Sequence, residues 1–475
     1  MKPLELEEVV AAMEARPLGQ PGHHLVGGVS TDSRDVQPGQ LFFALEGARL
    51  DGHRFVASAI DQGAIAAVVS HPERVPDDLH EVGLLLLVDD TTAALGRLAA
   101  FHRTQVRAAV IGVTGSNGKT TTKEMIHQVL RARWRGRAAP KSFNNAVGVP
   151  LTLLSVEPDD DYVVVEIGSN APGEVAHLAR MARPDIGVIT SVSETHLERL
   201  KNLEGVAAEK ASLVESIRDG GCAIVNAECG CLIDQVRSRR RRGVRFVRFG
   251  RDEGADLRAT DLEVGPDRVA FRVNGDLPVT LPMPGPHNAL NALAALAVGE
   301  ELGVAMADGA EQLIRFEPPA MRMEVHRWGD VTFVNDAYNA NPAGMAAALE
   351  VLGSWPAGCR RVFVAGQMRE LGAASLPKHQ ELGGRIGRAG IEVLVAVGDT
   401  AQTVVEAARH ANPHIHAEAT ADVAEAAVLL EQIVRPGDVV MIKGSRAVGL
   451  EALAETVRAA AEKTPASGAA AHGQR

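Results

Sequence analysis

Aromatic residues are scarce in this chain of 475, which has 3 Trp, 2 Tyr and 11 Phe. So few rings argue against a platform on which the bases of a single strand stack. The 46% hydrophobic content points instead to cores built mainly of Ala, Val and Leu, with tight turns at many of the 47 Gly. Positive charge is also in deficit. A formal charge of −11 opposes the basic excess with which nucleic-acid binders neutralise phosphates, so no nucleic-acid partner is expected. Cysteine is limited to Cys222, Cys229, Cys231 and Cys359. No Cys-x-x-Cys pair offers a zinc site, and reduced thiols in a cytosolic compartment are expected. Long apolar runs are absent: GLLLLV at 83–88 is strand-sized, well short of the ~18 residues that span a bilayer. The opening MKPLELEEVV carries acids where a secretion signal needs a basic segment, so none is expected.

What is present reads as α/β throughout. The length predicts two to four domains, with three as the central expectation. Residues 1–108 alternate short strands (41–45, 64–70, 84–88) with helical stretches, which predicts a small α/β N-terminal domain. Residues 109–315 open on the strand AAVIGVTG and predict a central P-loop ATPase-like α/β domain, with strands at 162–167 and 186–190 and a strand-rich stretch at 244–281. In 316–458 the segments VTFV, RVFVAG, VLVAVG and VVMIKG recur between helix-length stretches, the order of a parallel, C-terminal Rossmann-like domain. Residues 459–475 are small and polar and predict a disordered tail. The arginine streak from Arg237 to Arg248 is expected to be a solvated helix end, and His410, His414 and His416 surface histidines.

Chemistry concentrates at Val113-Thr114-Gly115-Ser116-Asn117-Gly118-Lys119-Thr120-Thr121, between a strand and a helix. Glycines there let backbone N–H groups turn toward phosphate oxygens. Lys119, expected to face solvent, adds a cation and Thr120 a hydroxyl for Mg²⁺. Val113 stands where the usual phosphate loop begins with Gly. The strand at 162–166 ends in Glu166, where such folds place a Mg²⁺ ligand. Farther on, Val206, Lys210, Leu213, Val214 and Ile217 share one face of a helix expected at 204–217, which sets Lys210 on an apolar stripe. Its ammonium either snorkels out or is paired or modified. Desolvation would free its lone pair to take up CO₂ and form a metal-holding carbamate.

On these residues the chain resembles the Mur ligase family, cytoplasmic ATP-dependent amide ligases of bacterial cell-wall synthesis. The resemblance runs from Ser30-Thr31-Asp32-Ser33-Arg34 to Lys443-Gly444-Ser445-Arg446. The family loop T-G-x-N-G-K-T is matched by Thr114 to Thr120, so Val113 is no departure. The resemblance implies that Gly115, Ser116, Asn117, Gly118, Lys119, Thr120 and Thr121 hold the phosphates of ATP. It places Glu166 and His196, within Glu194-Thr195-His196-Leu197-Glu198, with Thr120 at Mg²⁺, and makes Lys210 the carbamylated lysine. Asn288, in Pro284-Gly285-Pro286-His287-Asn288, resembles the adenine contact, Arg322 the arginine reaching the terminal phosphate, and Asp336 the ribose ligand.

Within the family, Asn335-Asp336-Ala337-Tyr338-Asn339-Ala340-Asn341-Pro342 resembles the signature of the member that adds D-alanyl-D-alanine. Phe143-Asn144-Asn145 and Gly366-Gln367-Met368-Arg369-Glu370-Leu371-Gly372 agree, while Glu166-Ile167-Gly168-Ser169-Asn170 departs conservatively. Ser33, Arg34, Asp51 and His53 would hold the UDP-sugar, and Asn145, Asn339 and Asn341 would contact substrate. The implied reaction activates the carboxylate of a UDP-N-acetylmuramoyl tripeptide as an acyl phosphate, which the amine of D-alanyl-D-alanine then attacks. Lys119, Lys210, His196 and Arg322 are its expected catalytic residues. Because Arg322 and Asp336 lie in a different domain from Lys119, closure is expected to assemble the site. A monomer is expected. The rival readings are a diaminopimelate-adding or folylpolyglutamate-type ligase of the same fold; a P-loop switch or motor is disfavoured because no N-K-x-D guanine-reading motif occurs.

Overall fold

A computed structural model describes residues 1–19, 22–47, 50–76, 79 and 84–463. Among these the chain forms three α/β domains, each around its own principal sheet. The first is five-stranded, in the order Arg16–Leu18, Leu85–Leu87, Ala66–Val69, Gln40–Phe43, Gly28–Ser30. The sequence anticipates its three inner strands, which are nearly all buried. The two edge strands, RPL and GVS, carry little apolar signal.

The central sheet has nine strands. Ala109–Thr114 lies between Tyr162–Glu166 and Ile186–Ile189, parallel to both, with Val113 opposite Glu166 and Thr114 opposite Ile189. These strands are buried along almost their whole length, as a parallel sheet covered on both faces requires. The register brings the phosphate loop and Glu166 to one carboxyl edge. Cys222–Asn226, a buried inner strand, was not anticipated, and the stretch at 244–281 resolves into a parallel strand, Arg245–Gly250, followed by an antiparallel meander. Helix Lys119–Leu130 packs against the long buried helix Pro286–Glu301.

The third sheet runs Glu324–Trp328, Val331–Asn335, Asp438–Lys443, Arg360–Gly366, Val393–Val397, His416–Thr420. It is parallel except for the first pair. The four anticipated strands are the inner ones; both edge strands, EVHRW and HAEAT, are too polar or Ala-rich to stand out. Asn335 pairs with Ile442, so Asp336 and Lys443 emerge side by side.

Two expectations need correction. The helix around Lys210 is α-helical only over Leu203–Ala211 and continues as a 3-10 turn, Ser212–Ser216, yet Val206, Leu213, Val214 and Ile217 are all buried as the stripe requires. Residues 459–463 are not tail: they complete helix Leu453–Lys463, whose Val457, Ala460 and Ala461 are buried against the third domain. The rest of the expected tail, 464–475, lies outside the described residues. The limits at 108/109 and 315/316 fall between elements, and we retain them as a proposal. The first two domains are tied by Arg103, nearly buried, which donates to the carbonyls of Ala182 (3.1 Å) and Arg183 (3.2 Å) and pairs with Asp185 at 2.7 Å.

Candidate active site

A cavity of 840 Å³ opens where the central and third domains meet. Its floor is the phosphate loop, from Ser116 to Thr121. Gly115, at φ +151, passes so close to Thr190 that a Cβ would stand 2.0 Å from its Oγ1, and Gly118, at φ +80, caps the helix where a Cβ would stand 2.5 Å from Asn291 Oδ1. Glycine is therefore required at both positions for packing as well as for backbone conformation. Thr190 Oγ1 (2.6 Å) and Ser191 Oγ (3.0 Å) donate to the Asn117 carbonyl, pinning the loop to the neighbouring strand end. Lys119 is less exposed than expected. Its Nζ folds back to donate to the carbonyls of Gly115 (2.7 Å) and Ser116 (3.4 Å), and burial pushes its pKa below the usual lysine range.

Beside the loop, Glu166 is 1% exposed. Its carboxylate accepts from Thr120 Oγ1 at 2.8 Å and from Asn144 Nδ2 at 2.9 Å, both neutral groups. A buried carboxylate satisfied only by a hydroxyl and an amide, at the edge of a phosphate loop, is the hard-oxygen donor set that suits Mg²⁺. His196 lines the same cavity. Its Nδ1 is hydrogen-bonded to Glu370 of the third domain, and burial lowers its pKa, with Lys210 and Lys119 lowering it further. Lys210 does not line the cavity. It is 1% exposed, among the described residues Nζ reaches only the Ser169 carbonyl at 3.5 Å, and burial followed by the charge of Lys119 pushes its pKa down to about 7.

The third domain supplies the opposite wall. Arg322 stacks on Tyr338, its guanidinium 4.0 Å from the ring centre, and approaches Ser142 Oγ at 3.5 Å. Asp336 accepts from Lys443 Nζ at 2.5 Å and from the Met323 N–H at 3.3 Å, and the Asn339 carbonyl accepts from the same lysine at 3.1 Å. Asn341 stands apart from the cavity lining. Its Oδ1 caps helix Pro342–Gly353 through the Gly344 N–H (2.8 Å), while its Nδ2 crosses to Asn117 Oδ1 at 2.7 Å. Asn145 lines the cavity but spends its carbonyl oxygen on the N–H groups of Val147 and Gly148. Asn288 is buried at the cavity wall, bonded to the Pro284 carbonyl and to Asn291.

The structure does not bring the N-terminal clusters to this cavity. Arg34 is exposed and paired with Asp32, and Ser33 is buried beside it. His53 is fully buried: its Nε2 accepts the N–H groups of Ser70 and His71, its Nδ1 bonds Asp51, and Arg74 pairs with Asp51 and Glu46. The arginine streak carries surface ion pairs, with Arg239, Arg241, Arg245 and Arg248 each meeting a carboxylate, and His410, His414 and His416 are exposed.

Four site residues had no role assigned from sequence: Asn144, His287, Lys443 and Glu370. The first three line the cavity. All four stand inside motifs already singled out, so their signal was adjacency to a recognised residue. His287 is the most suggestive of a ligand, because its buried Nδ1 has no partner among the described residues and burial pushes its pKa down to about 4. The ring is thus a neutral hydrogen-bonding group aimed at the cavity.

Comparison with known proteins agrees in every domain. Residues 25–103 match the Mur ligase family, catalytic domain; residues 113–299 the Mur ligase middle domain; residues 321–446 the Mur ligase, glutamate ligase domain. The chain is 32% identical to UDP-N-acetylmuramoyl-tripeptide–D-alanyl-D-alanine ligase of Bacillus subtilis, over 93% of this chain and 96% of that protein. It is 35% identical to the ligase of the same name from Escherichia coli, over 91% and 93%. Among solved structures it resembles MurF of Acinetobacter baumannii, with a TM-score of 0.86 and 30% identity over 96% and 99% of the two chains. MurF of Thermotoga maritima in complex with ADP follows at 0.80 and 27%, over 92% and 98%. With all three domains matched and a phosphate loop facing a third-domain arginine across one cavity, the chain belongs to the Mur ligase family of ATP-dependent ligases.

Proposed function

We propose that this chain joins D-alanyl-D-alanine to a UDP-N-acetylmuramoyl tripeptide at the expense of ATP. One observation carries the reading: the phosphate loop of the central domain and Arg322, Asp336 and Asn339 of the third face a single cavity. The names of its relatives support the choice of substrates, as does the Asp336 to Pro342 block.

In this reading the N–H groups of the loop and Lys119 hold the β- and γ-phosphates, and Lys119 leaves its loop carbonyls to do so. Arg322, kept extended by its stack on Tyr338, neutralises the γ-phosphoryl as it passes to the tripeptide carboxylate. The amine of D-alanyl-D-alanine then attacks the acyl phosphate and phosphate leaves, with Asn145 and Asn339 as substrate contacts. Thr120, Glu166, His196 and a carbamylated Lys210 would hold Mg²⁺, which when bound supplies positive charge to the phosphate oxygens. Asn288 and His287 take the adenine end, and Asp336 exchanges Lys443 for the ribose. Asn341 contributes through closure, because its side chain already bridges to Asn117. Ser33, Arg34 and Asp51 would act at the UDP-sugar end, outside the cavity, with the fully buried His53 supporting Asp51 and the backbone of residues 70–71 from behind. The same reading takes the enzyme to be a cytoplasmic monomer. Among the described residues no helix is long and apolar enough to cross a membrane.

The test is phosphate release from ATP with Mg²⁺ and UDP-N-acetylmuramoyl tripeptide, with and without D-alanyl-D-alanine. Release should require both substrates. Equal release without them, or turnover with glutamate on a folate, would overturn the assignment.

A further inference from the structure

Outside the site, the main clusters of charged side chains among the described residues are tied up in ion pairs. The Glu46, Asp51 and His53 group is filled by Arg74, and in the arginine streak Arg239, Arg241, Arg245 and Arg248 each meet a carboxylate. One contact at the domain junction is different. His196 and Glu370 are 174 residues apart in sequence, and each is a non-glycine residue at positive φ, +53 and +64. Left-handed backbone is uncommon away from glycine, less so for His than for Glu, so two such residues meeting side chain to side chain is a constraint the fold maintains at a cost. Around them the Glu198 N–H reaches the Glu370 carbonyl at 3.5 Å, and Lys378 pairs with Glu194 at 2.6 Å.

The contact has a chemical consequence for the imidazole. A carboxylate only accepts, so Nδ1 must carry the proton and donate it to Glu370. Nε2 is then left with its lone pair, and among the described residues it has no hydrogen-bond partner. His196 lines the cavity, so that lone pair is the atom available to it. Histidines that bind metals are generally set in this way, by a carboxylate or carbonyl on the other nitrogen that fixes tautomer and ring orientation.

We propose that Glu370 is a positioning residue of the third domain: by accepting the hydrogen bond of the His196 Nδ1–H when the domains close, it presents the Nε2 lone pair to the divalent metal ion. The proposal rests on the reading of His196 as part of the metal site. It links closure to metal binding, because the carboxylate that completes the histidine arrives with the third domain. An open chain would carry His196 in either tautomer and hold the ion more weakly.

The experiment uses the full chain with ADP and Mn²⁺, reading bound metal by electron paramagnetic resonance. The tautomer of His196 is read by ¹⁵N resonance of labelled histidine, its signal assigned by loss in His196→Gln. Glu370→Leu removes the acceptor and should raise the Mn²⁺ Kd about tenfold or more, with the protonated nitrogen no longer confined to Nδ1. Glu370→Gln keeps an acceptor without the charge and should recover most of the affinity. Lys378→Met cuts the neighbouring pair across the same junction and should leave both readouts as in the parent. Parent-like Kd and tautomer in Glu370→Leu would overturn the proposal, as would an equal rise in Kd for Lys378→Met, since Glu370 would then be only a latch. Failure of the underlying metal-site reading looks different: Mn²⁺ affinity would be unaffected by Glu166→Gln, while the tautomer measurement would still judge Glu370 by itself.

Discussion

Replacing Lys210 by alanine and then supplying a small carboxylate separates a carbamylated lysine from a merely buried one. Lys210 is 1% exposed, its hydrogen bond to the Ser169 carbonyl is long at 3.5 Å, and its pKa falls from 10.5 to about 7. At pH 7 that shift raises the neutral amine from roughly 1 in 3,000 to about one half, a gain of ~10³ in the form that attacks CO₂. The same shift carries a stability sign. A lysine whose folded pKa lies below its unfolded value destabilises the fold fully below about pH 7, and the penalty, of order 5 kcal/mol, is relieved as pH rises toward 10.5. Carbamylation removes the cation and so relieves it at neutral pH. Lys210→Ala should therefore lose about 10²-fold or more in turnover, through the missing anion, without losing its fold. Formate, acetate or propionate, entering the space left by the side chain, should restore part of the rate. With ¹³C-bicarbonate the parent should show a carbamate carbon resonance that Lys210→Ala lacks. Parent-like turnover in Lys210→Ala would refute the reasoning, as would a loss that no carboxylate repairs together with no carbamate signal in the parent.

Lys119→Ala should reduce amide formation by about 10²–10³-fold or more while unfolding at nearly the parent temperature, since Nζ bonds only loop carbonyls; near-normal turnover would show that Lys119 does not serve the phosphates. Gly115→Ala puts a methyl 2.0 Å from Thr190 Oγ1, so the loop must shift and ADP affinity by calorimetry should fall by about tenfold or more; unchanged affinity would contradict the loop's tight fit. His102 is fully buried, its Nδ1 bonded to the Leu153 carbonyl and its Nε2 accepting the Lys2 N–H, and burial, then the chain's positive N-terminus, push its pKa from 6.5 to about 4. Its contribution is complete above pH 6.5 and is lost as pH falls toward 4, up to about 3 kcal/mol. Urea unfolding at pH 7 and pH 5 should show a smaller difference in His102→Gln than in the parent, and equal differences would refute the assignment.

Much of this protein was legible from local pattern alone. The phosphate loop is contiguous, and its glycines, lysine and threonine have their meaning within one turn of chain, so their placement follows once a strand precedes and a helix follows. The inner strands of the first and third sheets are apolar because both faces are covered. The burial of Lys210 followed from the spacing of its apolar neighbours, even though the helix that carries it is shorter than the pattern suggested.

What only the tertiary structure decided depends on contacts between distant segments. Edge strands such as Glu324–Trp328 and His416–Thr420 become strands because a neighbour offers unpaired backbone groups, and their own residues hardly announce it. The retraction of Lys119 onto its loop and the pairing of Asp336 with Lys443 likewise reflect which groups the fold brings within reach. The turn around Asp51 and His53 has the composition of a ligand site, and only the fold shows that its side chains also hold the backbone of residues 70–71 and Arg74. The bridges from Asn117 to Asn341 and from His196 to Glu370 join residues 224 and 174 positions apart. Sequence spacing carries no information about such pairs, because the docking of one domain on another creates them.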